Sequence, residues 1–208
     1  MPGQDYQIRM KLKVLFLILT LNMSLITSAE SFGLVVHGGA GVLSGLSIER
    51  QQEIENKVKE TLISAYKILE DGGSSMDAVE FAVSEFEDST LFNAGKGSVY
   101  NSDGVQEMDA SIMNGADRSA GAVASVQIIK NPIKLARKVL EETDHVLLVG
   151  RGAEIFAKDI EETIVDRSYF HSEKNLKRLK KAKKRISDNN IIEAVSYTHL
   201  TLPTTPYV

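Results

Sequence analysis

The segment LFNAGKGSVYNSDG, Leu91 to Gly104, sets glycines at 95, 97 and 104 around a single lysine, Lys96, and so imposes a loop and a turn on the middle of the chain. A glycine-flanked lysine followed by a hairpin-like run is open to three readings: a phosphate loop, a metal loop or a plain turn. A phosphate loop needs an opening glycine, so that backbone N–H groups converge on phosphate oxygens, and a hydroxyl after the lysine to hold Mg²⁺. Here Thr90 stands at the opening position and Gly97 follows Lys96, so both requirements fail. The metal and turn readings remain.

The elements on either side follow from periodicity and caps. The run FGLVVHGGAG reads as a short buried strand, Gly33 to His37, that ends in a glycine loop. Ser47 predicts the N-cap of a helix whose apolar stripe is Ile54, Val58, Leu62, Ala65 and Leu69, stopped by Gly72 and Gly73. A second helix starts at Ser74 or Ser75 and turns Met76, Val79, Ala82, Val83 and Phe86 to the core. Beyond the loop, strands are expected over Ser98–Asn101 and Val105–Met113, joined at Asp103-Gly104, where a tight hairpin turn needs positive φ angles. A strand over Ala120–Ile129, a helix from Pro132 to about Thr143 capped by Asn131, and a buried strand HVLLVG complete the pattern. Helix pairs flank consecutive antiparallel strands, which is the α+β form of an α/β chain and no regular βαβ winding. One sheet face is expected under helices, and the other, bearing Val35, Ile112, Val123 and Val126, needs a second layer.

The two ends differ from this body. Lys11 and Lys13 precede the apolar run VLFLILTLNMSLITSA, and Thr27, Ser28 and Ala29 close it, the layout of a cleavable export signal over residues 1–29. The run is interrupted by Asn22 and falls short of the ~20 apolar residues that span a bilayer. A secreted or periplasmic product starting near Glu30 is expected, with no membrane attachment after signal removal. At the far end VSYTHLTLPTTPYV carries no Asp, Glu, Lys or Arg, and Val195 to Thr205 is what a transposon-end sequencing adapter would encode, so residues 195–208 read as a non-native tail. Residues 30–194 between them are enough for one domain.

Composition narrows the chemistry. Cysteine is absent, which excludes disulfides, thiol nucleophiles and thiolate metal sites and leaves oxygen or nitrogen as the nucleophile. His37, His145, His171 and His199 have no metal-ligand spacing to one another. The formal net charge of −4 gives no reason to expect nucleic acid, and the basic run Lys174 to Arg185 has no aromatic on which a base could stack. That run reads as a solvated helix or linker. No organic cofactor is expected.

Five ordered segments carry a family resemblance: VVHGGAG (Val35–Gly41), LFNAGKGSVYNSDG (Leu91–Gly104), EMDASIMNG (Glu107–Gly115), AGAVASVQIIKNPIKLAR (Ala120–Arg137) and HVLLVGRGAEIFA (His145–Ala157). In order and spacing they resemble the plant-type L-asparaginase and isoaspartyl peptidase family of N-terminal nucleophile hydrolases. The HGGAG loop separates the chain from glycosylasparaginases, which lack it. The resemblance implies a four-layer αββα sandwich of which this chain is the α-subunit half. Members are made as a precursor that cuts itself before a threonine in a G-T-V-G-A segment, and no Gly-Thr-Val-Gly occurs here. The implied partners are therefore the β subunit of the same precursor, a small-molecule or dipeptide substrate, and a second αβ unit in a dimer. The implied reaction is hydrolysis of the L-asparagine side-chain amide or of β-aspartyl peptide bonds, with the chain as printed inactive. A relative of the family's protease-like branch and a secreted binding module without catalysis are the alternatives.

The same resemblance implies roles for particular residues. Asn93 takes the position beside the nucleophile, where an amide can orient the hydroxyl through hydrogen bonds. His37, Gly38 and Gly39 match a mobile loop flanking the substrate. The main-chain carbonyls of Phe86, Glu87, Ser89, Phe92, Ala94 and Lys96 match a loop that wraps a monovalent cation, usually sodium. Lys96 departs from the small or apolar residue often found at its position.

Overall fold

The computed structural model of the protein describes residues 32–39 and 45–189. The expected export signal, residues 1–29, and the tail, residues 195–208, lie outside the described residues, as do Ala40 and Gly41 of the glycine loop. The chain divides into two units, Met1–Gly33 and Leu34–Val208, and the architecture below belongs to the second.

Helix α1 spans Ile48–Glu70 because Ser47, held in extended backbone, accepts the Arg50 N–H on its side chain and so satisfies an orphan donor of the first turn. Its inward face is Ile54, Val58, Leu62 and Leu69, half-buried, with Thr61 and Ala65 fully buried. It ends where Gly72 turns at φ +86° and the Gly73 N–H returns to the Ile68 carbonyl. Helix α2, Ser75–Glu87, opens with a reciprocal cap: the Ser74 hydroxyl accepts the Asp77 N–H, and the Asp77 carboxylate accepts the Ser74 N–H. The Ser74 hydroxyl, which also donates to the Asp77 carboxylate at 2.6 Å, then Arg137 reaching across, hold the Asp77 carboxyl down to about 2. The inward face of α2 differs from the expected stripe. Ala78, Ala82, Phe86 and Glu87 are buried while Val79 stays 39% exposed, because small residues let the neighbouring helices approach closely.

A three-stranded sheet follows, in the order β1 (Met108–Met113), β2 (Ala120–Val126), β3 (Leu147–Val149). Strands β1 and β2 are antiparallel, with an irregularity between Met108 and Ala110. Helix α3, Pro132–Glu142, carries the chain back so that β3 lies parallel to β2, which makes the sheet mixed where consecutive antiparallel strands were expected. Helix α4, Gly150–Asp159, a 3-10 turn over Arg167–Phe170 and helix α5, Glu173–Asn189, complete the unit. The basic run lies on α5 with its lysines and arginines exposed, as a solvated helix should.

The core sits between the sheet and the helices. Ile112, Val123 and Val126 pack with Ile133, Leu135, Ala136 and Val139 of α3 and with Ala153 and Ala157 of α4. Gly121 of β2 allows this, since a Cβ there would fall 2.2 Å from the Ala136 carbonyl oxygen. The expectation that Ile112, Val123, Val126 and Val35 share an uncovered face is therefore corrected: the first three are covered by α3 and α4, and Val35 is 92% exposed on a segment without strand pairing. Side chains alternate along a strand. With Ile112 inward, Ser111 and Met113 face out, and the row Ser111, Ala122, Leu147 lies on the open face.

Three further elements fall short of expectation. Residues 33–37 form no strand, because no described strand pairs with them. Around the Asp103-Gly104 turn the only ladder-like bond is Asn101 N–H to the Val105 carbonyl, since the Asn101 side chain accepts the Asp103 and Val105 N–H groups and Gln106 turns inward. Strand β2 stops at Val126: Ser125 adopts φ +54° while its N–H is held by the Asp109 carboxylate. Strand β3 is half-exposed, where a buried strand was expected.

Candidate active site

The segment between α2 and β1 is built around two buried rings. Phe86, on the last turn of α2, and Phe92 meet with centroids 4.4 Å apart and so fix both ends of the intervening turn. The chain then closes a 3-10 turn, Gly95–Gly97. A Cβ on Gly95, which sits at φ +46°, would lie 2.3 Å from the Glu87 carbonyl oxygen. One on Gly97 would lie 2.0 Å from the Phe92 carbonyl oxygen and 2.9 Å from that of Ser89. Three of the six expected carbonyls therefore converge on the two glycines, and only glycine permits it. The Phe86 and Ala94 carbonyls accept the Ser89 and Gly97 N–H groups, so both help close the turn. The Lys96 ammonium leaves the turn altogether and lies 5.3 Å over the Tyr169 ring.

The carbonyl oxygens that meet at these two glycines are donors of the kind a hard monovalent cation takes. Among the described residues no group of three or more His, Asp or Glu gathers as a metal site, so any cation here must rely on main-chain oxygen, as a hard ion accepts. The cradle supplies such oxygens where side chains are excluded.

The side chain of Glu87 has a separate task. Its Oε1 accepts the Ile133 N–H at 3.0 Å and caps α3, the task expected of Asn131. Asn131 makes no cap bond and donates to the Asp88 carboxylate instead. Glu87 Oε2 is buried without a partner. Burial pushes the Glu87 carboxyl up to about 8, against the pull of the Ile133 N–H and Asn131. Its neighbour Asp88 stays ionised: burial opposes this, but bonds from Lys130, Asn131 and Tyr169 hold its carboxyl below the usual range.

Asn93 is exposed at the rim of this loop, and its Oδ1 accepts the Val99 N–H at 2.9 Å. With the oxygen committed, the free end of the amide is its NH₂, a donor of two hydrogen bonds. The 37–39 loop meets the residue next to Asn93 at Gly38, where a Cβ would touch the Phe92 ring edge at 3.1 Å, and within the loop the Gly39 N–H bonds to the His37 Nδ1. The structure thus joins the two sequence-distant segments through Phe92.

Behind the rim lies a buried amide cluster. Gln106 Nε2 reaches the Ser98 carbonyl at 2.7 Å, the Ser98 hydroxyl and the Phe170 carbonyl at 2.7 Å. Asn175 Nδ2 reaches the Gly97 and Ser98 carbonyls, each at 3.1 Å. Sequence reasoning missed both residues. Gln106 sat in an expected strand and Asn175 in a basic run, and only their distant partners distinguish them. An open cavity of about 280 Å³, lined by Tyr100, Gln106, Gln127, Arg167 and His171 among others, touches neither Asn93 nor the 37–39 loop.

Comparison with known proteins adds the wider context. The Asparaginase_2 family model, described as Asparaginase, matches residues 30–205. The chain is similar to the isoaspartyl peptidase/L-asparaginase of Rattus norvegicus, 48% identical over 151 residues that cover 69% of this chain and 45% of the relative. It is similar to that of Homo sapiens, 47% identical over 149 residues, 72% of this chain and 48% of the relative. It is also similar to the plant-type L-asparaginase of Pyrococcus horikoshii, 52% identical over 125 residues, 60% of this chain and 40% of the relative. The chain spans less than half the length of each.

Proposed function

The chain belongs to the Asparaginase_2 family, and on that footing we propose that it is the supporting half of a hydrolase acting on the L-asparagine side-chain amide, on β-aspartyl peptide bonds, or on both. A second, β half supplies the nucleophilic threonine and the second sheet of a four-layer αββα sandwich, laid on the open face with Ser111, Met113 and Leu147. The observation that carries this reading is Asn93, whose amide oxygen is held by the Val99 N–H, leaving its NH₂ to donate, on the residue next to Phe92, whose ring lies against Gly38.

The chemistry divides accordingly. A threonine at a chain terminus has its hydroxyl as nucleophile and its own α-amine, of intrinsic pKa near 8, as base. Attack on the amide carbonyl releases ammonia or an amino acid, and water then frees the aspartyl group. The Asn93 NH₂ donates to the attacking oxygen or its neighbour and holds it in line, a contribution worth about 3 kcal/mol where such a donor faces developing charge. The test is complementation. Residues 30–194 joined to a threonine-led β half from a family member should cut themselves into two bands and release ammonia from L-asparagine or hydrolyse an isoaspartyl dipeptide. The chain alone should release none. Activity of the chain alone would place a nucleophile in this half and overturn the division of labour, and an intact, inactive joined protein would favour a binding module.

The carbonyls of Glu87, Ser89 and Phe92, with those of Phe86, Ala94 and Lys96, would hold a sodium ion, whose charge offsets the mutual repulsion of converging oxygen dipoles. Because an ion that binds only the folded loop stabilises it by mass action, raising sodium from near zero to one hundred times its dissociation constant should add about 2.7 kcal/mol. Thermal melts in sodium against a bulky organic cation at equal ionic strength read this directly. Coincident melts would assign the loop to plain turn geometry.

A further inference from the structure

We propose that Gln106 and Asn175 are positioning residues that act on Asn93 through the Ser98–Val99 peptide group. This rests on the reading of Asn93 as the amide beside the nucleophile. The peptide group between Ser98 and Val99 is one rigid plane. Its carbonyl accepts Gln106 Nε2 at 2.7 Å and Asn175 Nδ2 at 3.1 Å, and its N–H donates to Asn93 Oδ1 at 2.9 Å. Whatever fixes the carbonyl therefore fixes the N–H, and the N–H fixes the Asn93 amide.

Two physical effects run along this path. The first is orientation. Asn93 is exposed and has no other bond to set its amide among the described residues, so the angle of the Val99 N–H decides where its NH₂ points. The second is polarisation: chained hydrogen bonds strengthen one another by about 10–30% per bond. Two donors on the Ser98 carbonyl make the Val99 N–H a better donor, which draws electron density in the Asn93 amide toward Oδ1 and leaves its NH₂ a better donor in turn.

The anchors of the plane are well held. Gln106 is 7% exposed and is tied at the same time to the Phe170 carbonyl, while Asn175 is 9% exposed and also tied to the Gly97 carbonyl. Asn175 lies in the first turn of α5, so this helix is joined to the rim of the site by a side chain and not by packing alone. Neither residue touches Asn93 in sequence or by a direct bond.

The experiment is a double-mutant cycle in the self-cut, two-chain enzyme, paired with amide exchange in the chain itself. Asn175→Leu keeps the number and branching of the side-chain heavy atoms and removes the amide donors, and Gln106→Leu removes the amide donors at its site. Each is expected to lower kcat about tenfold with KM within twofold. In an Asn93→Ala background each is expected to cost nothing further, because the path ends at an absent side chain. Exchange of the Val99 amide should speed at least tenfold in Asn175→Leu, while the Val139 amide inside α3 stays protected. Equal losses with and without Asn93, or an unchanged Val99 amide, would overturn the relay. A fully active Asn93→Ala enzyme would overturn the reading of Asn93 beneath it, an outcome distinct from additive losses around an essential Asn93.

Discussion

Replacing Glu87 with glutamine is expected to stabilise the folded chain at pH 8 by several kcal/mol and to leave it nearly unchanged at pH 4.5. Glu87 is 3% exposed, its Oε2 has no partner, and burial raises its carboxyl from an ordinary 4.5 to about 8. An unfolded chain ionises this group near 4.5, whereas the folded chain keeps the proton until about 8. Between those values the folded state binds more protons, so its stability falls as pH rises. At ~1.4 kcal/mol per unit the loss is on the order of 5 kcal/mol as an upper bound. Glutamine retains an oxygen for the Ile133 N–H and cannot ionise, so the loss disappears. Melting curves from pH 4.5 to 8.5 measure it. The wild-type midpoint should fall across the range by roughly 10 °C more than that of Glu87→Gln, at 2–4 °C per kcal/mol for a chain of this size. Parallel curves would mean that the carboxylate is ionised in the folded state, held by the positive N-terminus of α3.

Gly97→Ala should be strongly destabilising for a single added methyl. The added carbon would fall 2.0 Å from the Phe92 carbonyl oxygen and 2.9 Å from that of Ser89, and both obstacles are backbone, so no side chain can swing away. Relief requires the turn to open, which separates the carbonyls, pulls the Phe92 ring from Phe86 and shifts the Ser98–Val99 peptide that holds Asn93. A cost of about 3 kcal/mol is expected, at the upper end for overpacking, with loss of any stabilisation by sodium. Gly115→Ala is the control, since nothing lies within 4 Å of its added carbon; it should stay within about 0.5 kcal/mol of wild type, as surface changes usually do. Denaturant melts of the two variants, with and without sodium, separate strain in this turn from a general intolerance of alanine. Equal behaviour of the two would remove the cradle from the account.

Much of the local structure was legible because it depends on neighbours in sequence. The Ser47 cap, the helix start at Ser74, Pro132 at the head of α3 and the glycines that stop α1 all act within five residues, where covalent connection guarantees proximity. The loop at 91–97 was legible for the same reason: its glycines announce curvature whatever surrounds them. The family resemblance pointed to Asn93 and to the six loop carbonyls, but not to what holds them.

What the tertiary structure alone decided are the pairings between distant segments. The α3 cap went to Glu87 and not to the adjacent Asn131, because α2 delivers a buried carboxyl to the N–H of Ile133 while Asp88 takes the Asn131 amide. The covered sheet face was misassigned because a strand pattern shows which residues share a face, and only packed helices show which face is covered. Residues 33–37 have strand composition without a strand, since a strand exists only by pairing. Gln106 and Asn175 lie 8 and 77 residues from the carbonyl they share, and a side-chain amide carries no mark in sequence of the backbone it will satisfy. The sequence by itself thus determined helices α1 to α3, the curvature of the loop and the family. The fold decided which polar group meets which, because a hydrogen bond depends on distances of about 3 Å that only the packed core establishes.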